Sequence, residues 1–167
     1  MITLLLLALL LDPFADTTKK AVVIIFVRPD CPISNRYAPE LKQIHDRYGE
    51  QGIGFYLVYP GPGISPESID QHRREYSYPM PGLRDPDFRY VRLAGAKVTP
   101  EVAVFVGRRL VYRGRIDDRY VDFGRVRPNP TQHDLADLLA IVVAGKPVSF
   151  HETKAIGCSL EDLREAR

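Results

Sequence analysis

No basic run interleaved with aromatic side chains occurs in this chain: its formal charge of +2 and pI near 8.5 come from basic residues scattered among acids. That distribution lacks the electrostatic stripe a polynucleotide needs, which excludes nucleic acid as a partner. Internal repeats and low-complexity tracts are absent too, and 167 residues fall within the range of one compact domain. Cysteine is scarce, at two residues, Cys31 and Cys158. A chain of this length buries about two-thirds of its unfolded surface. It therefore folds without a disulfide, and any Cys31–Cys158 link is chemistry more than scaffolding.

Apolar runs long enough to span a bilayer are missing as well. Residues 2–11 (ITLLLLALLL) are too short to cross by themselves and fit the hydrophobic region of a secretory signal. No Lys or Arg precedes them, and the cleavage-like site after Ala15 has Pro13 where a small residue is wanted. The segment 1–20 reads as an export signal, with an uncleaved anchor or a buried N-terminal element as the other readings; any membrane attachment runs through residues 2–11 alone. Export places the domain outside the cytoplasm, in a periplasm-like oxidising compartment where disulfide chemistry runs.

The remaining chain is organised around residues 21–48. A continuous apolar strand from Ala21 to Val27 breaks at Arg28-Pro29-Asp30, and Cys31-Pro32-Ile33-Ser34 then opens a helix. Tyr37, Leu41, Ile44 and Tyr48 recur at intervals of four and three and lay one apolar stripe on the sheet. A cysteine at this junction meets unpaired backbone N–H groups and the positive end of a helix, which favour thiolate over thiol. Cys31 is the first candidate for chemistry, expected in an exposed, electropositive place. The bland alternative is a small buried hydrophobe.

Further on, Ile53 to Tyr59 is a second buried strand, stopped by Pro60-Gly61-Pro62-Gly63. Ser65-Pro66 caps a helix whose inward face carries Ile69, His72 and Tyr76. Asp85 to Ala94 predicts a short helix from an Asp-Pro cap. Thr99 to Val106 and Leu110 to Tyr112, joined by Gly107-Arg108-Arg109, form a hairpin. Gly114 to Pro130 is expected to be an irregular loop near the active edge. Thr131 and Asp134 form a capping box before the apolar face Leu135, Leu138, Leu139, Val142 and Val143. The expected fold class is α/β, a central mixed β-sheet with helices on both faces.

Strand, Cys-Pro at the helix start, Pro39 eight residues beyond the cysteine, and Thr99-Pro100 opening a later apolar strand resemble the thioredoxin-like superfamily. CPISNRYAPEL, VTPEVAVF, YRGRIDDRY, TQHDL and AIGC together resemble, more narrowly, its exported redoxin group of alkyl-hydroperoxide-reductase and thiol-disulfide proteins. The resemblance covers roughly residues 21–158, taken as the redoxin domain, and leaves 159–167 as a tail. It implies a thioredoxin-like fold and a thiol-disulfide oxidoreductase with Cys31 as nucleophile. Pro100 becomes a cis-proline beside it, after Thr99. It calls for no cofactor and no metal, and for a protein thiol or disulfide, or a peroxide, as partner.

Ser34 holds the place where a dithiol thioredoxin has its second cysteine, so a local C-x-x-C disulfide is impossible and Cys158 is the candidate resolving thiol. Arg28 stands where peroxidatic cysteines have a hydroxyl three residues upstream, and it steers an anion or lowers the cysteine pKa by charge. That departure ranks a peroxiredoxin-like thiol peroxidase second. Ile25 and its apolar neighbours replace the buried acid of thioredoxins, so a proton acceptor must come from elsewhere. Pro32, Arg115, Asp117 and Asp118 are candidates for the substrate-site loop, against the alternative of a surface ion-pair network. His45, His72 and His133 read as packing or surface residues, and His151 shares the tail of Cys158. A rival of another class is a copper-binding or docking module of the same fold, although only one cysteine lies in the loop.

Overall fold

The computed structural model describes residues 12–161; the apolar run at residues 2–11 lies outside the described residues. In chain order the elements are β1 (Ala21–Phe26), α1 (Pro32–Arg36), α2 (Ala38–Tyr48), β2 (Ile53–Pro60), α3 (Pro66–Glu75), β3 (Gly82–Asp85), α4 (Arg89–Ala94), β4 (Val98–Thr99), β5 (Glu101–Val106), β6 (Arg109–Gly114), β7 (Tyr120–Asp122), β8 (Arg125–Val126), α5 (Asp134–Val143), β9 (His151–Glu152) and β10 (Cys158–Ser159).

β1 is apolar throughout because it is buried throughout, the pattern of a strand covered on both faces. It pairs in parallel with β2 and antiparallel with β5. The mixed sheet runs β3-β2-β1-β5-β6-β9. Alternate residues of β1 serve two cores. Val23 and Ile25 pack with Leu41 and Ile44 of α2 and with Leu135 and Leu139 of α5. Val22, Ile24 and Phe26 pack on the other face with Tyr90, Val91 and Ala94 of α4. Each fully buried Ile or Phe side chain here is worth roughly 1.5–3 kcal/mol over exposure, so β1 pins its own register and fixes where its carboxyl end delivers the Cys31 loop.

The hairpin β5–β6 forms as expected and extends to Gly114. The Ser65 hydroxyl caps α3, accepting from Ser68 N–H at 3.2 Å. Three expectations change. Asp85 does not start a helix: it ends strand β3, too short and mixed to read from sequence, and α4 begins at Arg89. Its buried carboxylate nevertheless caps α4 from a distance, accepting from the N–H groups of Tyr90 (3.0 Å) and Val91 (3.1 Å).

The Thr131–Asp134 capping box is not made, because both residues are committed elsewhere. Thr131 donates its N–H (2.6 Å) and hydroxyl (2.5 Å) to Asp118, while Asp134 accepts from Arg115 Nε at 2.8 Å. The 114–130 loop is not irregular throughout: β7 and β8 form a small hairpin in it, and Ile116, Asp117 and Asp118 are buried. Leu160 is buried in the second core.

Candidate functional site

Cys31 is the residue immediately before α1, in extended conformation (φ −97°, ψ 106°), with Pro32 as the first helical residue. Its N–H donates to Arg28 O at 3.2 Å and its carbonyl accepts from Asn35 N–H at 3.1 Å, so the turn after β1 and the first turn of α1 hold it from both sides. The expected exposure is wrong: Cys31 is completely buried, at 0%. The reason is tertiary. Residues 157–160 fold back over the junction and cover the sulfur.

That covering segment depends on one close approach. Gly157 lies against the Thr99 carbonyl, leaving no room for a side chain. From there β10 pairs antiparallel with β4, Cys158 opposite Thr99 and Ser159 opposite Val98. Leu160 N–H donates to Lys97 O at 2.9 Å. The result places Cys158 Sγ 2.6 Å from Cys31 Sγ, while the Cys31 thiol donates to Thr99 O at 3.0 Å. Cys158 itself is partly exposed. The Thr99–Pro100 bond is cis.

The two thiols are electrostatically unequal. Burial pushes the Cys31 thiol up, but the Cys158 thiol, which donates to it, and the neighbouring polar groups of Ser34 and Thr99 outweigh that, and Cys31 sits below the ordinary thiol value. Cys158 is pushed up to about 12 by burial, by its bond to Cys31 and by the neighbouring charges of Cys31 and Asp30, with Arg28 opposing. One proton therefore leaves the pair first, from Cys31, and the Cys158 S–H holds the charge left behind. The Ser34 and Thr99 hydroxyls are buried and have no hydrogen-bond partner among the described residues.

A second layer holds the cysteine loop. Asn35 Nδ2 donates to Pro29 O at 2.9 Å, which leaves Asn35 Oδ1 to accept from His72 Nε2 at 2.9 Å. His72 is then protonated on Nε2, and its Nδ1 accepts from Tyr59 O–H at 2.8 Å. Tyr78 O–H donates to Ser34 O at 3.3 Å. Periodicity turned His72 inward, yet nothing local links it to Asn35, which is on another helix.

The site residues read from sequence divide into two groups. Cys31, Cys158, Ser34, Thr99 and the start of α1 at Pro32 converge, and Pro100 follows Thr99. Arg28 is tied to Asp30 at 2.5 Å beside them. Among the described residues, no contact links Arg115, Asp117 or Asp118 to either sulfur. Arg115 pairs with Asp134, and Asp118 clamps the Thr131 and Gln132 N–H groups. Asp117 accepts from Tyr37 O–H at 2.5 Å and so supports the junction between α1 and α2. Asp117 and Asp118 are buried, and Arg115 is partly exposed.

Glu101 went unremarked in the sequence, though an acid inside the apolar strand VTPEVAVF was visible. It is buried, with its carboxyl raised by burial against the opposing hydrogen bonds of Lys97 and Val98 N–H and the charge of Arg113. It anchors the turn that leads into β4. His151, on the edge strand β9, packs against Tyr112 with the rings tilted at 46° and their centroids 4.9 Å apart. Among the described residues no group of three His, Cys, Asp or Glu side chains is placed to hold a metal ion, and no helix is long and apolar enough to cross a membrane.

No family model matches the chain, and no curated protein matches it. Solved structures do. A hypothetical protein from Sinorhizobium meliloti is 26% identical, with 87% of this chain and 81% of that one covered, at a TM-score of 0.70. An uncharacterized conserved protein from Geobacillus kaustophilus is 28% identical, covering 87% and 79%, also at 0.70. A thiol:disulfide interchange protein of the thioredoxin family from Chlorobium tepidum shares 12% identity over 77% of this chain and 83% of its own, with a TM-score of 0.57. The likeness extends over the β1–β2 parallel pair and the β5–β6 hairpin of the central sheet. The fold is thioredoxin-like, a mixed sheet covered by helices on both faces.

Proposed function

We propose that the chain is a thiol-disulfide oxidoreductase that cycles between a Cys31/Cys158 dithiol and an internal disulfide, with Cys31 supplying the thiolate. The observation that carries this reading is the 2.6 Å approach of the two sulfurs, made by a segment 127 residues away in sequence. Forming the S–S bond removes two electrons and two protons, which pass to the disulfide of a partner; opening it reverses the transfer. The lowered Cys31 thiol supplies the thiolate that exchange requires. Ser34 leaves no thiol inside the C-x-x-S turn, so Cys158 is the chain's own second sulfur.

The physiological partner in this reading is a protein thiol or disulfide. The apolar residues 2–11 act as an export signal or anchor that delivers the domain to an oxidising compartment.

The test is chemical. Reduced wild type is equilibrated with an excess of oxidised glutathione, quenched in acid, alkylated and weighed. The expected product has no alkylated cysteine and the mass of an internal disulfide, whereas Cys158→Ser carries one glutathione or one alkyl group. Wild type that keeps two alkylatable thiols would sink the reading.

A further inference from the structure

Exchange with an internal disulfide is not symmetric, because the attacking thiolate must reach one sulfur while the other departs. Here the two sulfurs differ in access. Cys31 has no exposed surface: it is enclosed by Cys158 Sγ at 2.6 Å, by the Thr99 carbonyl at 3.0 Å and by buried Ser34. Cys158 is the outer of the two and is partly exposed. Its position is set by backbone, through the β10–β4 ladder and the Leu160–Lys97 hydrogen bond, with the Leu160 side chain buried beyond it. A partner therefore has to displace this packed tail to touch Cys31, whereas Cys158 is partly exposed among the described residues.

We propose that Cys158, not the helix-start Cys31, is the sulfur that carries the external partner. The proposal rests on the redox pair argued above and assigns its two ends. In the reductive direction a partner thiolate attacks Cys158 Sγ, a new S–S bond forms between partner and Cys158, the Cys158–Cys31 bond breaks, and its electron pair stays on Cys31. The second thiolate of a dithiol partner then attacks the partner's own sulfur. The partner closes as a disulfide, and Cys158 leaves and takes a proton from water.

In the oxidative direction the Cys158 thiol passes its proton to the Cys31 thiolate and attacks one sulfur of a partner disulfide; the partner's other sulfur departs as thiolate and takes that proton from Cys31, and the mixed disulfide is then resolved from inside. Cys31 thiolate attacks Cys158 Sγ and expels the partner's thiolate. In the reductive direction Cys31 is the sulfur that departs, and its lowered pKa makes it the better leaving group of the pair. Arg28 and Asp30, paired with each other, lie near Cys158 and act on it in opposite directions. A dithiol protein or a small thiol meets these requirements equally, and the chemistry names the sulfur it attacks.

The experiment uses unmodified wild type and glutathione as a probe with a single thiol, which cannot complete the second step. Protein oxidised to the internal disulfide is exposed briefly to glutathione, quenched in acid at the earliest times, alkylated and mapped by peptide mass. The expected result is glutathione on the Cys158 peptide with an alkyl group on Cys31. Glutathione on the Cys31 peptide, or on both in equal amounts, overturns the assignment while leaving the redox pair standing. Failure to form the internal disulfide at all brings down the pair and the assignment together, and it is read at the first mass measurement.

Discussion

Gly157 and Thr99 meet backbone to backbone, with no space for a Cβ between them. A side chain at 157 would stand 2.6 Å from the Thr99 carbonyl carbon and 3.2 Å from Pro100 N. Those atoms belong to the β4–β5 junction and have no flexible end that can move aside. This one contact decides whether the C-terminal segment lies flat enough for the two sulfurs to touch.

Gly157→Ala is therefore expected to lift β10 from β4, at a cost of about 1–3 kcal/mol for a forced overlap. The domain stays folded, because the two main cores do not involve residue 157. The fraction of internal disulfide at a fixed glutathione redox ratio should fall below that of wild type. An unchanged fraction would mean that the close approach is not needed to bring the sulfurs together.

Leu160→Ala tests the same segment from its anchor. Removing a buried leucine costs about 2–5 kcal/mol where nothing can yield, but a terminal segment opens locally before the domain unfolds. The loss should appear mainly as faster hydrogen exchange at the Leu160 amide, which donates to Lys97 O, with a smaller change in global stability. A full loss of global stability and no local opening would contradict this arrangement.

The two thiols should titrate far apart in the reduced protein. Thiolate absorbance is expected to rise once below the ordinary cysteine value of about 8.5, from Cys31, and again near 12, from Cys158. In Cys158→Ala, which has no donor at that place, the first step moves upward, because the Cys158 thiol is the leading hydrogen bond that lowers Cys31. The signs on stability oppose. The depressed Cys31 adds stability above about pH 8.5 that is lost as pH falls through its folded value. The raised Cys158 adds stability that is complete below about pH 8.5 and lost as pH rises toward 12. Coincident titration of both thiols would refute the coupling.

His72 predicts an acid limit. Burial depresses its pKa, with the Glu75 charge opposing. Below the unfolded histidine value of about 6.5 the unfolded chain takes up a proton that the folded chain refuses, so stability should decline from there until the depressed folded value is reached. His72→Phe keeps the bulk but leaves Tyr59 O–H and Asn35 Oδ1 without their partner, at a cost of about 1–3 kcal/mol at neutral pH. It should also remove the decline between neutral pH and pH 5. Denaturant titrations of both proteins across that range measure both effects.

Much of the scaffold could be read along the chain because it is encoded locally. The unbroken apolar run of β1 records burial on both faces, the stripe Tyr37-Leu41-Ile44-Tyr48 records a helix lying on that sheet, and Gly107 between two apolar runs records the β5–β6 hairpin. Each signal has the period of its own element, so no distant contact is needed to interpret it. The candidate thiol at the strand-to-helix junction, and Ser34 in place of a second local cysteine, are legible for the same reason.

What lay beyond that reading depends on pairs distant in sequence. Asp85 looked like a local cap and instead caps α4 from the end of a strand, because β3 exists only by pairing with β2. Thr131 looked like a helix cap and is taken by Asp118 across the loop. The burial of Cys31 and the choice of Cys158 as its neighbour both come from a two-residue ladder between β4 and β10. So short a strand has no period to detect, and its register is set by where Leu160 finds a core and where Gly157 fits against a carbonyl, facts that exist only once the chain has closed on itself.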